Sequence, residues 1–394
     1  MEHSQGTHKG YITLKIRLVT IVILMAAAYN ALWMCLILYS RLIGASELEV
    51  SLVTSISSLF LMTSIMWGYL ADRFGYYPLI LIADVFMLAS SMLVLAFQSI
   101  PSIMASRCLT GLGTAMFIPS MMAMMVLLFE ETATKGSLVG LYSAAQSAGW
   151  ALGVAIGGFI AKSYSLLASI TLTAIMVFMS LIITLMTRIG VEPKGEHVNK
   201  ITFRNVMNRS SILLSITCFL RDGGILGAYS ILPLFLKELG ATEDIIGALL
   251  AINTITQIPS MLMIGRIAKG SRTGWVFTFG VLGTSATILI YSLALSYVHI
   301  IPAQLLLALS FASFYVGSRT LVSELYPRAM GTMLGLLTLF RNAGGALIPL
   351  LAGYLWHLYS FRASFRALAL IVLASSFMAL LLTKLMESQL RDIA

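Results

Sequence analysis

Six charged side chains lie well inside long apolar stretches of the sequence, away from the ends of those stretches. They are Asp84, Arg107, Arg221, Asp222, Arg319 and Arg341. A charged side chain near the centre of a bilayer costs at least about 2.5 to 3.5 kcal/mol on insertion scales, so each is a candidate for function. These residue types can bind a charged compound, or take up and release a proton, within a membrane.

Asp222 is the strongest candidate for a proton-binding carboxylate. Burial favours the neutral form of an acid and a nearby arginine favours the ionised form, so a moving arginine or a cationic substrate would expel the proton. A permanent ion pair of Asp222 with Arg341 or with Arg107 is the alternative. Because successive helical residues diverge by about 100°, we expect Arg221 and Asp222 to find different partners.

The other charges have different expected roles. We expect Asp84 to be structural, Arg107 either to take part in proton coupling or to bridge helices, and Arg319 to reach the membrane surface with its long side chain. Uncharged polar and aromatic residues of the same stretches are expected to line a cavity around the charges. They are Asn30, Trp33, Tyr142, Gln146, Tyr229, Asn253, Gln257, Tyr315 and Asn342.

Long apolar stretches must position these side chains. Hydrophobic residues make up 59% of the 394 residues, charged residues 10%, and the mean hydropathy is +0.93. A membrane-spanning helix needs about 20 apolar residues. Twelve stretches qualify, at 16–40, 49–71, 78–98, 101–128, 136–161, 165–188, 211–236, 243–267, 274–297, 300–324, 331–356 and 364–386.

The distribution of Lys and Arg predicts the orientation. Most of them fall in connections on one side of the membrane, which the positive-inside rule assigns to the cytoplasm together with both termini. We therefore expect a multi-pass protein of the cell membrane. This topology explains the net charge of +9 without a nucleic-acid partner.

The second half of the sequence repeats the first. RLIGASE, from Arg41, overlays KELGATE, from Lys237, and each joins the first two stretches of its half. The repeat predicts an all-α membrane protein of two pseudo-symmetric six-helix bundles with a binding site at the midplane between them. The expected segments are a cytoplasmic tail at 1–15, bundles at 16–188 and 211–386, a central cytoplasmic loop at 189–210 and a tail at 387–394.

The connection between the second and third stretches reads GYLADRFGYYP, residues 68–78. It resembles the signature G-x-L-a-D-R-x-G-r-k of the major facilitator superfamily at Gly68, Leu70, Ala71, Asp72, Arg73 and Gly75. The resemblance implies a latch that holds the cytoplasmic side closed in the outward-open state. Its residues would be Gly68, Asp72, Arg73 and Gly75. The second-half copy has Lys269 where the acid should be, so one latch is complete.

Two further motifs resemble those of the drug:proton antiporter branch of that family. The fourth stretch matches a family motif at Arg107, Gly111, Gly113 and Ala115. The fifth resembles the antiporter motif at Gly140, Gly149, Gly153, Gly157 and Gly158, with Val154 where the motif has proline. Three of these glycines recur every four residues, so a small-residue stripe that only packs helices is the alternative.

The sequence thus predicts a secondary active transporter that works by alternating access. We expect proton-coupled export of a small amphipathic organic compound. The alternative is a transporter of an organic anion or sugar-type metabolite, for which import is also open. An enzyme is not expected, because the five histidines lie outside the centres of the stretches. The three cysteines have no metal-ligand spacing, so we expect no metal site. We also expect no cofactor, and a monomer whose partners are the substrate, protons and lipid.

Overall fold

The computed structural model describes residues 2–129, 135–187, 208–326 and 330–391. Over these ranges the chain is helical and contains no β-strand. The helices are α1 (Glu2–Leu42), α2 (Glu47–Leu61), α3 (Ser64–Phe74), α4 (Tyr76–Phe97), α5 (Ile100–Phe129), α6 (Lys135–Ser163), α7 (Leu166–Met186), α8 (Arg209–Glu238), α9 (Glu243–Ile267), α10 (Ser271–Leu293), α11 (Ile300–Leu325), α12 (Met330–Leu358) and α13 (Phe361–Arg391).

The predicted twelve spans are confirmed. Within the described ranges, twelve helical segments are long and apolar enough to cross a membrane, with α2 and α3 counted together. Helix α1 begins at Glu2, so the polar first residues continue the helix of the first span. Most of the expected central loop, residues 189–207, lies outside the described part of the chain.

The second span breaks between α2 and α3, which the sequence did not indicate. The Thr63 hydroxyl donates to the Phe60 carbonyl at 2.6 Å and accepts from the Trp67 indole at 3.0 Å. Such back-bonding by a threonine hydroxyl competes with the helical ladder and bends a helix. The bend lies in the half of the span that carries Asp72 and Arg73.

The helices form two bundles, α1–α7 and α8–α13. In the first, α1 packs against α6 and α7, and α4 against α5; in the second, α8 packs against α12, and α10 against α11 and α13. The bundles meet mainly through α6 with α9 and α2 with α12. These two contacts are equivalent under the repeat, because α2 corresponds to α9 and α6 to α12.

The bundles are closely packed at the face opposite the start of α1 and the end of α13, which we call the closed face. A Cβ atom added to Gly158 would lie 3.1 Å from the Gly247 Cα of the other bundle. At the equivalent contact, a Cβ on Gly353 would lie 2.8 Å from the Glu47 carbonyl oxygen. Glycines here allow the backbones of the two bundles to touch.

An ion pair and a histidine–carboxylate contact join the bundles across the closed face. Lys162 Nζ lies 2.9 Å from Asp244, and His357 Nδ1 lies 3.2 Å from Glu47. Each pair links the ends of the same helices that the glycines bring together. Both are partly exposed, so they add little stability individually.

The opposite face, where α1 starts and α13 ends, is packed more loosely, and we call it the open face. A Cβ on Gly335 would still be 4.0 Å from the Ile65 side chain of the other bundle. The main partners of α3, at this end of the second span, are α5 and α4 of its own bundle. The bundles therefore meet at one face and separate towards the other.

Candidate functional site

A carboxylate shared by two arginines lies midway along α8. Asp222 is 4% exposed. Its Oδ1 accepts a hydrogen bond from Arg221 Nη1 at 2.6 Å, and its Oδ2 accepts one from Arg341 Nε of α12. The carboxylate therefore joins the two helices that pack most closely within the second bundle.

Arg221 is fixed in place. Its side chain is 0% exposed, and its Nε donates to the Thr284 hydroxyl of α10 at 3.0 Å. The guanidinium carbon lies 4.2 Å from the ring centroid of Phe314 and 5.0 Å from that of Phe311. The expectation that Arg221 and Asp222 would find different partners is wrong, because the long arginine side chain bends back to the neighbouring carboxylate.

Arg341 is held less firmly than Arg221. Its side chain is 24% exposed. Its Nη2 donates to the Tyr315 hydroxyl of α11, and its guanidinium carbon lies 4.2 Å from the centroid of the same ring. Arg319, one turn further along α11, is exposed, and its guanidinium carbon lies 5.6 Å from the Tyr315 ring centroid. Arg341 is thus the more accessible of the two arginines on Asp222.

Arg107 is a second buried cation, in the first bundle. Its Nε donates to the Val53 carbonyl at 2.6 Å, and its Nη2 donates to the Ser57 hydroxyl at 2.6 Å. Its guanidinium carbon is 5.5 Å from the Tyr29 ring. Among the described side chains Arg107 forms no ion pair. Its hydrogen bonds join α5 to α2, and Asp222 pairs with Arg221 and Arg341 instead.

Asp84 lies apart from these charges. Its carboxylate is buried between α4 and α7, where it accepts hydrogen bonds from Ser180 at 3.0 Å and Thr184 at 2.6 Å. These hydroxyls satisfy both of its oxygens. The arrangement joins two helices of the first bundle and supports the expected structural role.

The residues expected to line a cavity fall into two groups. Six are partly exposed: Asn30, Trp33, Gln146, Tyr229, Tyr315 and Asn342. Three are buried: Tyr142, Asn253 and Gln257. Trp33 and Tyr229 meet edge to face across the two bundles, with ring centroids 5.9 Å apart. Sequence reasoning missed Thr284, Phe311 and Phe314, which surround the central charges, and the buried Gln304, to which the Tyr229 hydroxyl donates at 3.3 Å.

The glycines of the fifth span pack helices. Added Cβ atoms would lie 2.5 Å from the Ile23 carbonyl oxygen at Gly149 and 3.0 Å from the Ala31 Cβ at Gly157. Gly153 is packed equally tightly against Ala27, whereas Gly140 has open space. Three motif glycines thus bring α6 onto α1, and Gly158 brings it onto α9.

The expected latch lies at the open face. Gly75 has a φ of 95°, which favours glycine, and ends α3. A Cβ on Gly68 would lie 3.7 Å from Pro119 of α5. Arg73 is exposed, with its guanidinium 5.5 Å from the Phe74 ring. The Asp72 side chain is outside the described residues, although its backbone belongs to α3.

The family follows from comparison with known proteins. A family model described as Major Facilitator Superfamily matches residues 18–237 and 214–393. The chain belongs to the major facilitator superfamily. The predicted fold and family are therefore confirmed, and the molecule is a transporter-family protein with twelve membrane-spanning helices.

Several curated relatives of this major facilitator protein are named for drug resistance. The chain is 26% identical to Multidrug resistance protein MdtG of Rahnella sp. (strain Y9602), over 89% of this chain and 88% of that protein. It is 22% identical to Multidrug resistance protein 1 of Bacillus subtilis (strain 168), over 75% and 77%. These similarities support the predicted drug:proton antiporter branch.

Solved transporter structures share the fold at low sequence identity. A mutant of the nucleoside transporter NupG aligns with a TM-score of 0.80 at 11% identity, over 95% of this chain and 99% of that one. The human organic anion transporter MFSD10 aligns with a TM-score of 0.65 at 15% identity, over 92% and 99%. Both similarities concern the fold alone.

Proposed function

We propose that this major facilitator protein exports small amphipathic organic compounds in exchange for protons, with Asp222 as the proton-binding carboxylate. The observation that carries the proposal is the sharing of this buried carboxylate by Arg221 and Arg341. Both carboxylate oxygens accept hydrogen bonds from arginines, and a proton or a cationic substrate competes with these donors for the same oxygens. Drug resistance in the names of the relatives favours export.

Exchange follows from competition at one carboxylate. A substrate that contacts Asp222 binds when the acid is ionised, and a proton binds when the substrate has left. The substrate and the proton therefore exclude each other from the carboxylate. When the site opens alternately to the two faces, they are carried in opposite directions. One elementary charge crossing the membrane potential supplies about 2.3 kcal/mol per 100 mV.

We also propose the topology expected from the basic residues. Both termini would be cytoplasmic in the cell membrane, so the open face would be the cytoplasmic one and substrate would enter from the cytoplasm. The segment boundaries expected from the sequence, the monomeric state and the latch at Gly68, Asp72, Arg73 and Gly75 belong to the same proposal. In an outward-open state the latch would bring the bundles together where they are now apart.

A second candidate is a transporter of an organic anion or sugar-type metabolite. It is favoured by the excess of cations: Arg221 and Arg341 share one acid, Asp222, and the buried Arg107 forms no ion pair among the described side chains. An anion that drew Arg341 away from Asp222 would free a carboxylate oxygen for a proton. The anion and the proton would then move together, in the direction of uptake.

Flux measurements distinguish the two candidates. The purified protein is reconstituted in vesicles with an imposed pH gradient and a pH-sensitive dye inside, and cationic, neutral and anionic amphipathic compounds are added in turn. Exchange predicts that an acidic interior drives compound inward while protons leave. Movement of an anion and protons in the same direction would establish the second candidate, and compound movement without protons would refute both.

A further inference from the structure

We infer that the Arg341 side chain occupies the position of the substrate's cationic group and must leave before the substrate binds. The substrate class is then a flat, delocalised organic cation, such as an amidinium or guanidinium, on an apolar body. This inference rests on the proposed function, because it places the substrate on the carboxylate that exchanges protons. It makes Arg341 a residue that sets specificity.

The contacts of Arg341 have the form of an organic-cation site. Its guanidinium meets a carboxylate oxygen of Asp222 and the Tyr315 hydroxyl, and lies 4.2 Å from the Tyr315 ring centroid and 5.9 Å from that of Phe314. A carboxylate beside aromatic faces is the arrangement that binds organic cations. Here the chain supplies the cation itself.

Only one of the two arginines on Asp222 can be exchanged. Arg221 is fully buried and tied to Thr284, so it holds Oδ1 permanently. Arg341 holds Oδ2, and about a quarter of its side chain is exposed (24%). Rotation of this long side chain towards the open face would leave Oδ2 and the Tyr315 ring vacant while α12 stays in place.

The charge balance permits this exchange. With Arg341 bound, the cluster of two arginines and one aspartate carries one net positive charge. A monovalent cation in place of Arg341 leaves that charge unchanged once the guanidinium has moved into water. An anion, in contrast, would have to bind to Arg341 itself. Removing Arg341 should therefore increase the affinity for a cation and abolish the binding of an anion. The affinity changes in opposite directions for the two kinds of substrate.

The test uses two probes of matched shape and opposite charge, 4-phenylbenzamidine and biphenyl-4-carboxylate. Their binding to the full-length protein in lipid nanodiscs is measured by calorimetry for wild type, Arg341→Gln and Arg341→Lys, with Arg366→Gln, an exposed arginine of α13, as the control. If Arg341 blocks the site about nine-tenths of the time, its removal tightens amidine binding about tenfold. We expect a smaller gain for Arg341→Lys and none for Arg366→Gln.

Two results would overturn the inference: weaker amidine binding by Arg341→Gln, or carboxylate binding by the wild type that disappears in this variant. Should Arg341→Gln fail to fold, the amidine affinity of Arg341→Lys is compared with that of the wild type. Tighter binding by Arg341→Lys would support the inference, and weaker binding would overturn it. The pH dependence separates this inference from the proposed exchange. Amidine binding that follows the expected order but is independent of pH would support the role of Arg341 and refute proton competition at Asp222.

Discussion

Replacing Asp222 with asparagine is expected to uncouple transport from the proton gradient. Asparagine has nearly the same shape and still accepts a hydrogen bond, but it cannot take up or release a proton. One pH unit corresponds to about 1.4 kcal/mol, which for one proton sustains about a tenfold accumulation. In vesicles with a gradient of one unit, we expect the accumulation ratio to fall from about ten to about one.

The matched control is Asp84→Asn, the same chemical change at the other acid among the six intramembrane charges. Asp84 is bound by Ser180 and Thr184 away from the central cluster. Its variant should therefore keep gradient-driven accumulation. Undiminished accumulation by Asp222→Asn would show that another group carries the proton.

Replacing Gly247 with alanine is expected to prevent closure of the closed face. An added Cβ would overlap the Val154 carbonyl oxygen of the other bundle and lie 3.3 Å from the Gly158 Cα. Overpacking of this kind costs about 1 to 3 kcal/mol, which shifts a two-state equilibrium about 5- to 150-fold. The expected consequences are a population open at this face and a corresponding loss of transport, measured as initial flux in vesicles.

Gly265→Ala is the control on the same helix, because Gly265 has open space where the Cβ would be placed. Both substitutions make the same change in helix propensity, of about 1 kcal/mol in favour of alanine. Only the contact between bundles differs. Equal flux in the two variants would show that close packing of α6 against α9 is not required for transport.

The sequence predicted the fold well because the bilayer imposes strong constraints. Lengths of apolar sequence identify the spans, and the overlay of RLIGASE on KELGATE identifies the two bundles. The break after Leu61 was missed because it depends on hydrogen bonds of the Thr63 hydroxyl, and neither glycine nor proline marks it. Spacing also identified the glycines that pack α6 against α1.

The central site could be predicted only in part. Charge in an apolar stretch identified Asp222, Arg221 and Arg341, but their pairing depends on the rotation of α8 against α12 and on the reach of arginine side chains. Phe314 and Thr284 are ordinary residues of apolar helices. Their contact with Arg221 is a property of the packed bundle that no local sequence pattern indicates.

We expect the two bundles to close over the shared carboxylate at one face at a time. Double electron–electron resonance, which measures the distance between two spin labels, tests this expectation in nanodiscs. The three native cysteines are first replaced by alanine. One pair is placed at Leu42 and Tyr359 of the closed face, the other at Phe74 and Ile267 of the open face. When pH is changed or 4-phenylbenzamidine is added, the first distance should lengthen as the second shortens. Distances that change together, or that stay fixed while flux proceeds, would contradict the account.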